Sequence, residues 1–498
     1  MFFNRIPAVC MLLPLFFTRF LYAQSAFPPL DAEAQASAFA RVFASSRASW
    51  QDTARAALWA SSLNTGEAAG TAFYERITAA AAELAKDPDL SSDPRARAEY
   101  TLAFIHRRFL KSYSEHQTRL DEIFVSGRYN CVSSAVLYLI LGQSVGLEIT
   151  GVMTKDHAFA SVNAAGALID VETTNPYGFD PGNRKEFHDG FGRITGFAYV
   201  NARNYRDRAG ITDVELLSLI LSNRISDLEQ ANRFSEAVSL AVNRAVLLSA
   251  DTSGGSASGS GKAEFFEDPR MDMMNRLFNY GAYLVRTNKD DEAVAWAEYA
   301  GGRYPDNIRW QEFIYAAVNN KLVRLIRLRR AGDARTALGE AQGKLNDQNY
   351  AACDAMVTEA EAADMVNGIK NAGDAQAALA FIETSGKNLS EKIRLDLQNG
   401  AVLKEGERLG KSGAWLDAMN WMSASIAKYG ANTRFNSALR TFRQNRISGL
   451  HNQFAELFNR RDYRGAKDSV EKSLAEFPSD PQLTRDLNMV NRALEQSR

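Results

Sequence analysis

Residues 131 to 142, "CVSSAVLYLILG", carry no charged side chain. A helix that is apolar on nearly every side must be enclosed by the rest of its domain, so the N-terminal part of the chain has to be built around this element. Before it the pattern is helical and alanine-rich, as in "DAEAQASAFARVFASSRASW" and "ARAEYTLAFIHRRFLKSYSEH". In the second piece Tyr100, Leu102, Ala103, Ile105 and Phe109 fall mostly on one helical face. After residue 142 the period changes. "EITGVM", "HAFASVN" and "ALIDVETT" are short, rich in β-branched and aromatic residues, and punctuated by glycine, as strands are. The pattern predicts a helix-then-sheet unit running to about residue 205.

From Asp213 onward the chain returns to helices, interrupted by the glycine/serine stretch "TSGGSASGSG" at 252–261, which reads as a flexible insertion. Six pieces share a turn followed by an alanine: "NRFSEAV", "NKDDEAV", "AGDARTAL", "AGDAQAAL", "SGAWLDAM" and "RRDYRGAK". The shared residues are Ala237, Ala293, Ala337, Ala378, Ala418 and Ala466, with spacings of 56, 44, 41, 40 and 48 residues. A small residue at such a point lets the two helices of a hairpin pack closely. The series resembles a degenerate tetratricopeptide-type array with a lengthened period, which implies a partner-binding concave face. A plain alanine-rich helical domain without a true repeat is the alternative.

Length and charge set outer limits. A chain of 498 residues is long enough for roughly three domains. Lys+Arg 58 against Asp+Glu 59 leaves no net field to favour nucleic acid or an anionic membrane surface as partner. At the N-terminus Arg5 precedes an apolar run from Ile6 to Phe17, and small residues follow at Ala23, Ser25 and Ala26. That run is too short to span a bilayer and suits a secretory signal over residues 1–25, although Arg19 interrupts its later part. No cysteine lies beside the small residues to carry a lipid anchor. The expectation is an exported protein, periplasmic or extracellular, with no stable membrane span in the mature chain. Removal of Cys10 with the signal leaves Cys131 and Cys353, too few for a disulfide framework.

Cys131 opens the apolar helix, where backbone N–H groups and the helix dipole favour a negative charge on sulfur. A thiolate needs a proton shuttle, and "KDHAFASVNAAGALIDVETT" offers His157 at the head of one strand and Asp170 inside the next. Pairing Asn163 with Gly166 places Phe159 opposite Asp170 and makes His157 and Asp170 diagonal neighbours. A register shift of two would hand the orienting role to Glu172. Each residue also has a plainer reading: Cys131 as a small buried hydrophobe, His157 as a strand cap, Asp170 as a turn residue. The other histidines, His106, His116, His188 and His451, have no partners at metal-ligand spacing. "FDPGNR" is a turn, and no glycine motif cradles phosphate, so no cofactor or metal is expected.

With these pieces in order, residues 96 to 180 resemble the transglutaminase-like superfamily, which has a papain-like arrangement. The elements that carry the resemblance are "AFIHRRFLKSY", "SGRYNC", "QSVGLE", "HAF" and "LIDVETT". It implies Cys131 as nucleophile, His157 as general base and acid, and Asp170 as orienting carboxylate. Asn130 is an oxyanion candidate by adjacency alone. Val171 stands where a proline often follows the aspartate. The resemblance further implies an α+β fold: a papain/transglutaminase-like domain over 27–210, joined to an all-α, solenoid-like repeat domain over 211–498. The implied activity is attack on amide or peptide bonds of a protein or peptide substrate through a thioester, with the helices binding substrate or a protein partner. The alternative is an inactive version of the fold serving as an envelope interaction scaffold.

Overall fold

The structure, a computed structural model, describes residues 27–45, 48–182, 185–195, 208–249, 268–307 and 309–496. Residues 1–25, expected to be a secretory signal, and the glycine/serine stretch lie outside the described residues. Two compact units divide the chain, Met1–Asn307 and Ile308–Arg498.

In the first unit helices α1 (Ala34–Ala44), α2 (Trp50–Ala60), α3 (Ala68–Lys86) and α4 (Pro94–Arg108) lead to strand β1 (Ser112–Tyr113), helix α5 (Leu120–Ser126) and strand β2 (Arg128–Tyr129). Next come α6 (Cys131–Ser144), β3 (Glu148–Met153), β4 (Ala158–Ala164), β5 (Ala167–Val171), α7 (Lys185–Thr195) and β6 (Ala209–Ile211). Helices α8 (Asp213–Gln230), α9 (Phe234–Ser249), α10 (Pro269–Arg286) and α11 (Asp290–Arg303) complete the unit. The sheet order is β5-β4-β3-β6, antiparallel throughout, while β1 and β2 form a small parallel pair.

Helix α6 is the centre of this unit. Asn130 caps it: its side chain accepts from the Ser133 N–H at 3.0 Å, and the Ser133 hydroxyl accepts in return from the Asn130 N–H at 3.0 Å. Both donors are buried, so the reciprocal box removes two desolvated N–H groups from the cost of starting a helix there. Every residue from Val132 to Gly142 is buried. Helices α2, α3, α4 and α8 and strands β3 and β4 surround it, the enclosure an uncharged helix requires.

The expected α+β class is corrected here. The structure is 72% helical, with six short strands among the described residues, so the class is mostly α and not a papain-like core followed by a separate repeat domain. Packing explains the difference. Helices α8 and α9, read from sequence as the start of a second domain, close the first core: Val214, Leu216, Leu217, Ile220, Leu221, Leu247 and Leu248 are buried in the cluster that holds α6. The compact units therefore divide at Asn307, well beyond the boundary expected at residue 210.

The second unit contains α12 (Arg309–Arg327), α13 (Ala331–Glu340), α14 (Asp347–Gly368), α15 (Ala372–Thr384), α16 (Glu391–Lys411), α17 (Trp415–Tyr429), α18 (Thr433–Asn459), α19 (Tyr463–Glu476) and α20 (Pro481–Gln496). Each helix packs against the next, and the longer even-numbered ones also touch one another in succession. All six alanines singled out in the sequence are buried, in α9, α11, α13, α15, α17 and α19. One bond recurs in both units at the same spacing: Trp296 Nε1 donates to the Leu277 carbonyl at 3.0 Å, and Trp421 Nε1 to the Val402 carbonyl at 2.8 Å. Each tryptophan follows its buried alanine by three residues and ties its helix to the preceding one.

Candidate active site

The β4–β5 hairpin decides which carboxylate meets the imidazole. Ala164 pairs with Ala167 and Asn163 with Leu168, so the turn residues are Ala165 and Gly166, with φ of 54° and 87°. A two-residue hairpin turn needs positive φ at its centre and prefers glycine there. Gly166 is therefore spent in the turn and does not close the ladder, and Asn163 Oδ1 accepts the Gly166 N–H at 3.0 Å. Relative to the pairing of Asn163 with Gly166, every cross-strand neighbour moves by two. Asp170 now faces Ser161, and one step beyond the last pair, Ala160–Val171, Glu172 comes opposite Phe159.

His157 accordingly meets Glu172, Nε2 to Oε2 at 2.6 Å. The expected partner Asp170 points elsewhere and forms a two-pronged ion pair with Arg208, at 2.7 and 2.8 Å. Glu172 is buried, its side chain 1% exposed against 16% for His157. Its other oxygen accepts from the Thr174 hydroxyl at 2.7 Å and the Thr174 N–H at 3.2 Å. The turn after β5 makes this possible: the Glu172 N–H donates to the Gly178 carbonyl and the Gly178 N–H to the Asn175 carbonyl. A Cβ on Gly178 would stand 1.9 Å from the Glu172 carbonyl oxygen, so only glycine lets the turn close this tightly.

Cys131, at the first position of α6, is partly exposed and lines the same cleft as His157, near enough to favour a charged imidazole. Burial works against a charged His157, but the Glu172 carboxylate and the Cys131 contact outweigh it and hold the imidazole well above the usual histidine range. Asn130, the oxyanion candidate, is occupied as the helix cap, with its amide also donating to the Glu115 carbonyl at 2.9 Å. The cap leaves the N–H groups of Cys131 and Val132 as the first-turn donors it does not take.

Around the pair lies a buried polar layer that sequence reasoning did not assemble. Ser134 bonds the Thr173 hydroxyl at 2.9 Å, and the Tyr129 hydroxyl donates to the Thr174 carbonyl at 3.1 Å. His106 Nε2 donates to the Thr173 carbonyl at 3.0 Å. Burial pushes His106 down to about 4, against the opposing pull of that carbonyl and of Glu172, so it stays neutral. Burial, then the neighbouring Glu172, pushes Tyr129 up to about 12, and Tyr113 is raised by burial and by Cys131. Glu172, Thr173 and Thr174, the polar end of the stretch read as a strand, are buried, and so is Asn175.

The sulfur and imidazole open on a cleft of about 390 Å³. Val132, Met153 and the exposed Lys155 and Asp156 line it as well, together with Leu219, Asn223, Arg244, Asp272 and Arg276. Among the described residues no group of three His, Cys, Asp or Glu side chains is placed to hold a metal ion, and no helix is long and apolar enough to cross a membrane. Comparison with protein-family models, with curated proteins and with solved structures returned no match to this chain.

Proposed function

We propose that the chain is a thiol-dependent acyl-transfer enzyme acting on amide or peptide bonds, with Cys131 as nucleophile, His157 as proton carrier and Glu172 as orienting carboxylate. The observation that carries this reading is the 2.6 Å bond between His157 and buried Glu172, beside a cleft that Cys131 and His157 line together. Three roles follow from it. Cys131 sits where the first-turn N–H groups and the helix dipole favour negative charge. The 2.6 Å bond to Glu172 sets the imidazole's orientation and tautomer and stabilises the imidazolium. The Cys131 and Val132 N–H groups are placed to receive an oxyanion formed in front of the helix.

In the first half-reaction the sulfur attacks the carbonyl carbon while its proton resides on His157. The tetrahedral adduct collapses, the C–N bond breaks, and His157 gives that proton to the departing amine. A thioester remains on Cys131. Water then attacks, its proton passes to His157 and on to sulfur, and the acid leaves. Hydrolysis is the default because water needs no binding pocket. This assignment keeps the resemblance to transglutaminase-like enzymes at the level of chemistry, with the acid moved from Asp170 to Glu172. Export through residues 1–25 and a partner-binding role for the helical second unit belong to the same proposal.

A trapped intermediate tests it. After incubation with a peptide mixture and acid quench, the peptide containing Cys131 is expected to carry an acyl mass that hydroxylamine removes. No such adduct on the wild-type chain, from mixtures covering both acidic and neutral sequences, contradicts the proposal.

A further inference from the structure

A second cavity, of about 470 Å³, is lined by residues of α3, the end of α4 and α5, and the proposed chemistry makes no use of it. That volume suits a small-molecule ligand. Its apolar lining comes from buried Ala80 and Ile123 and from Phe109 and Phe124, whose ring centroids lie 5.2 Å apart. Arg76, Arg108 and Lys111 line it as well, against the one carboxylate of Glu83. Glu83 is taken by Arg108, Nη2 to Oε2 at 2.9 Å. The other two cations have no carboxylate partner among the described residues. Main-chain carbonyls hold them instead: Arg76 Nη1 donates to Phe124 at 3.2 Å and Lys111 Nζ to Arg107 at 2.9 Å. Those carbonyls belong to the last turns of α5 and α4, and their partial negative charge offsets only part of a full positive one. Each cation also carries N–H groups beyond the one used in this way. Gly127 helps to place the lysine. Its φ is 73°, and a Cβ there would stand 2.4 Å from Lys111 Cγ, so the lysine stem lies against the bare glycine.

We infer that this cavity binds a small anionic amphiphile, a carboxylate head on an apolar body, as in a medium-chain fatty acid. Three cations against one carboxylate leave an excess of two positive charges in the lining. The excess attracts an acidic head, and the alanine, isoleucine and phenylalanine side chains take the body out of water. Cations already held by carbonyls lose less freedom when the head arrives, which favours binding. The cavity shares no lining residue with the Cys131 cleft, and the inference stands without the enzyme reading.

Calorimetric titration of the full chain with octanoate, below its micelle concentration, tests this, with octanol as the uncharged control. The wild type is expected to bind one octanoate saturably and octanol at least about tenfold more weakly. Arg76→Gln and Lys111→Gln, both at exposed positions, should each weaken octanoate about threefold or more without lowering the urea midpoint. Absence of saturable octanoate binding overturns the inference. Binding that both substitutions leave intact also overturns it, since the acid would then sit elsewhere on the chain, and so does octanol binding as tightly as octanoate.

Discussion

His157 and His106 face the same buried carboxylate yet titrate in opposite directions, because only one of them bonds it. His157 touches Glu172 at 2.6 Å and is held charged, whereas His106 spends its N–H on the Thr173 carbonyl and is kept neutral by burial. The consequences for stability have opposite signs. Since the folded His157 lies above its ordinary 6.5, its pairing contributes fully below that pH and is lost as pH rises through the folded value. His106, lowered to about 4, contributes above 6.5 and loses that contribution as pH falls towards 4. Urea-unfolding midpoints across pH are thus expected to decline on both sides. Glu172→Gln should flatten the alkaline decline and His106→Gln the acidic one. Variants that run parallel to the wild type would show that neither histidine is coupled to folding as described.

At the scale of elements, the glycines around β5 do the positioning. Gly166 takes a turn position and sets the register, and Gly178 lets the chain fold back over Glu172. Gly178→Ala forces a Cβ against a backbone oxygen and is expected to destabilise the fold by about 2–3 kcal/mol, read as a lowered urea midpoint. It should also slow Cys131 alkylation by loosening the carboxylate. An unchanged midpoint would mean that the turn relaxes freely. The start of α6 at Cys131 and the existence of the hairpin were legible in the sequence, since capping and alternation are local signals. Its register was not. The pairing of Asn163 with Gly166 differs from the observed one only in which residue occupies the turn, and that two-residue difference exchanges Asp170 for Glu172 beside the imidazole.

For the molecule as a whole, the sequence showed where helices occur but not which core they close. Leu216, Leu217, Ile220 and Leu221 have the same amphipathic signature whether they begin a new domain or complete an old one; only packing against α2 and α6 distinguishes the two. Burial of Glu172, Thr173 and Thr174 was equally hidden, because polar residues are assigned to the surface by default. A chain spanning 27–307 is expected to unfold in one cooperative transition. One ending at residue 210 loses eight buried side chains of the core cluster, each worth about 1.5–3 kcal/mol, together more than a typical domain's whole stability. That shorter chain should show no cooperative transition by circular dichroism, and a sharp one would restore a domain boundary near residue 210.

The proposed enzyme depends on Glu172, and not Asp170, acting with His157 and Cys131. Its most direct test is the iodoacetamide rate at Cys131 near neutral pH, with buried Cys353, whose thiol burial pushes up, as the internal reference. Wild-type Cys131 is expected to react at least about tenfold faster than Cys353, His157→Ala and Glu172→Gln should each remove most of that excess, and Asp170→Asn should retain it. Equal, slow labelling of the two thiols in the wild type, or loss of the excess in Asp170→Asn but not in Glu172→Gln, would contradict it.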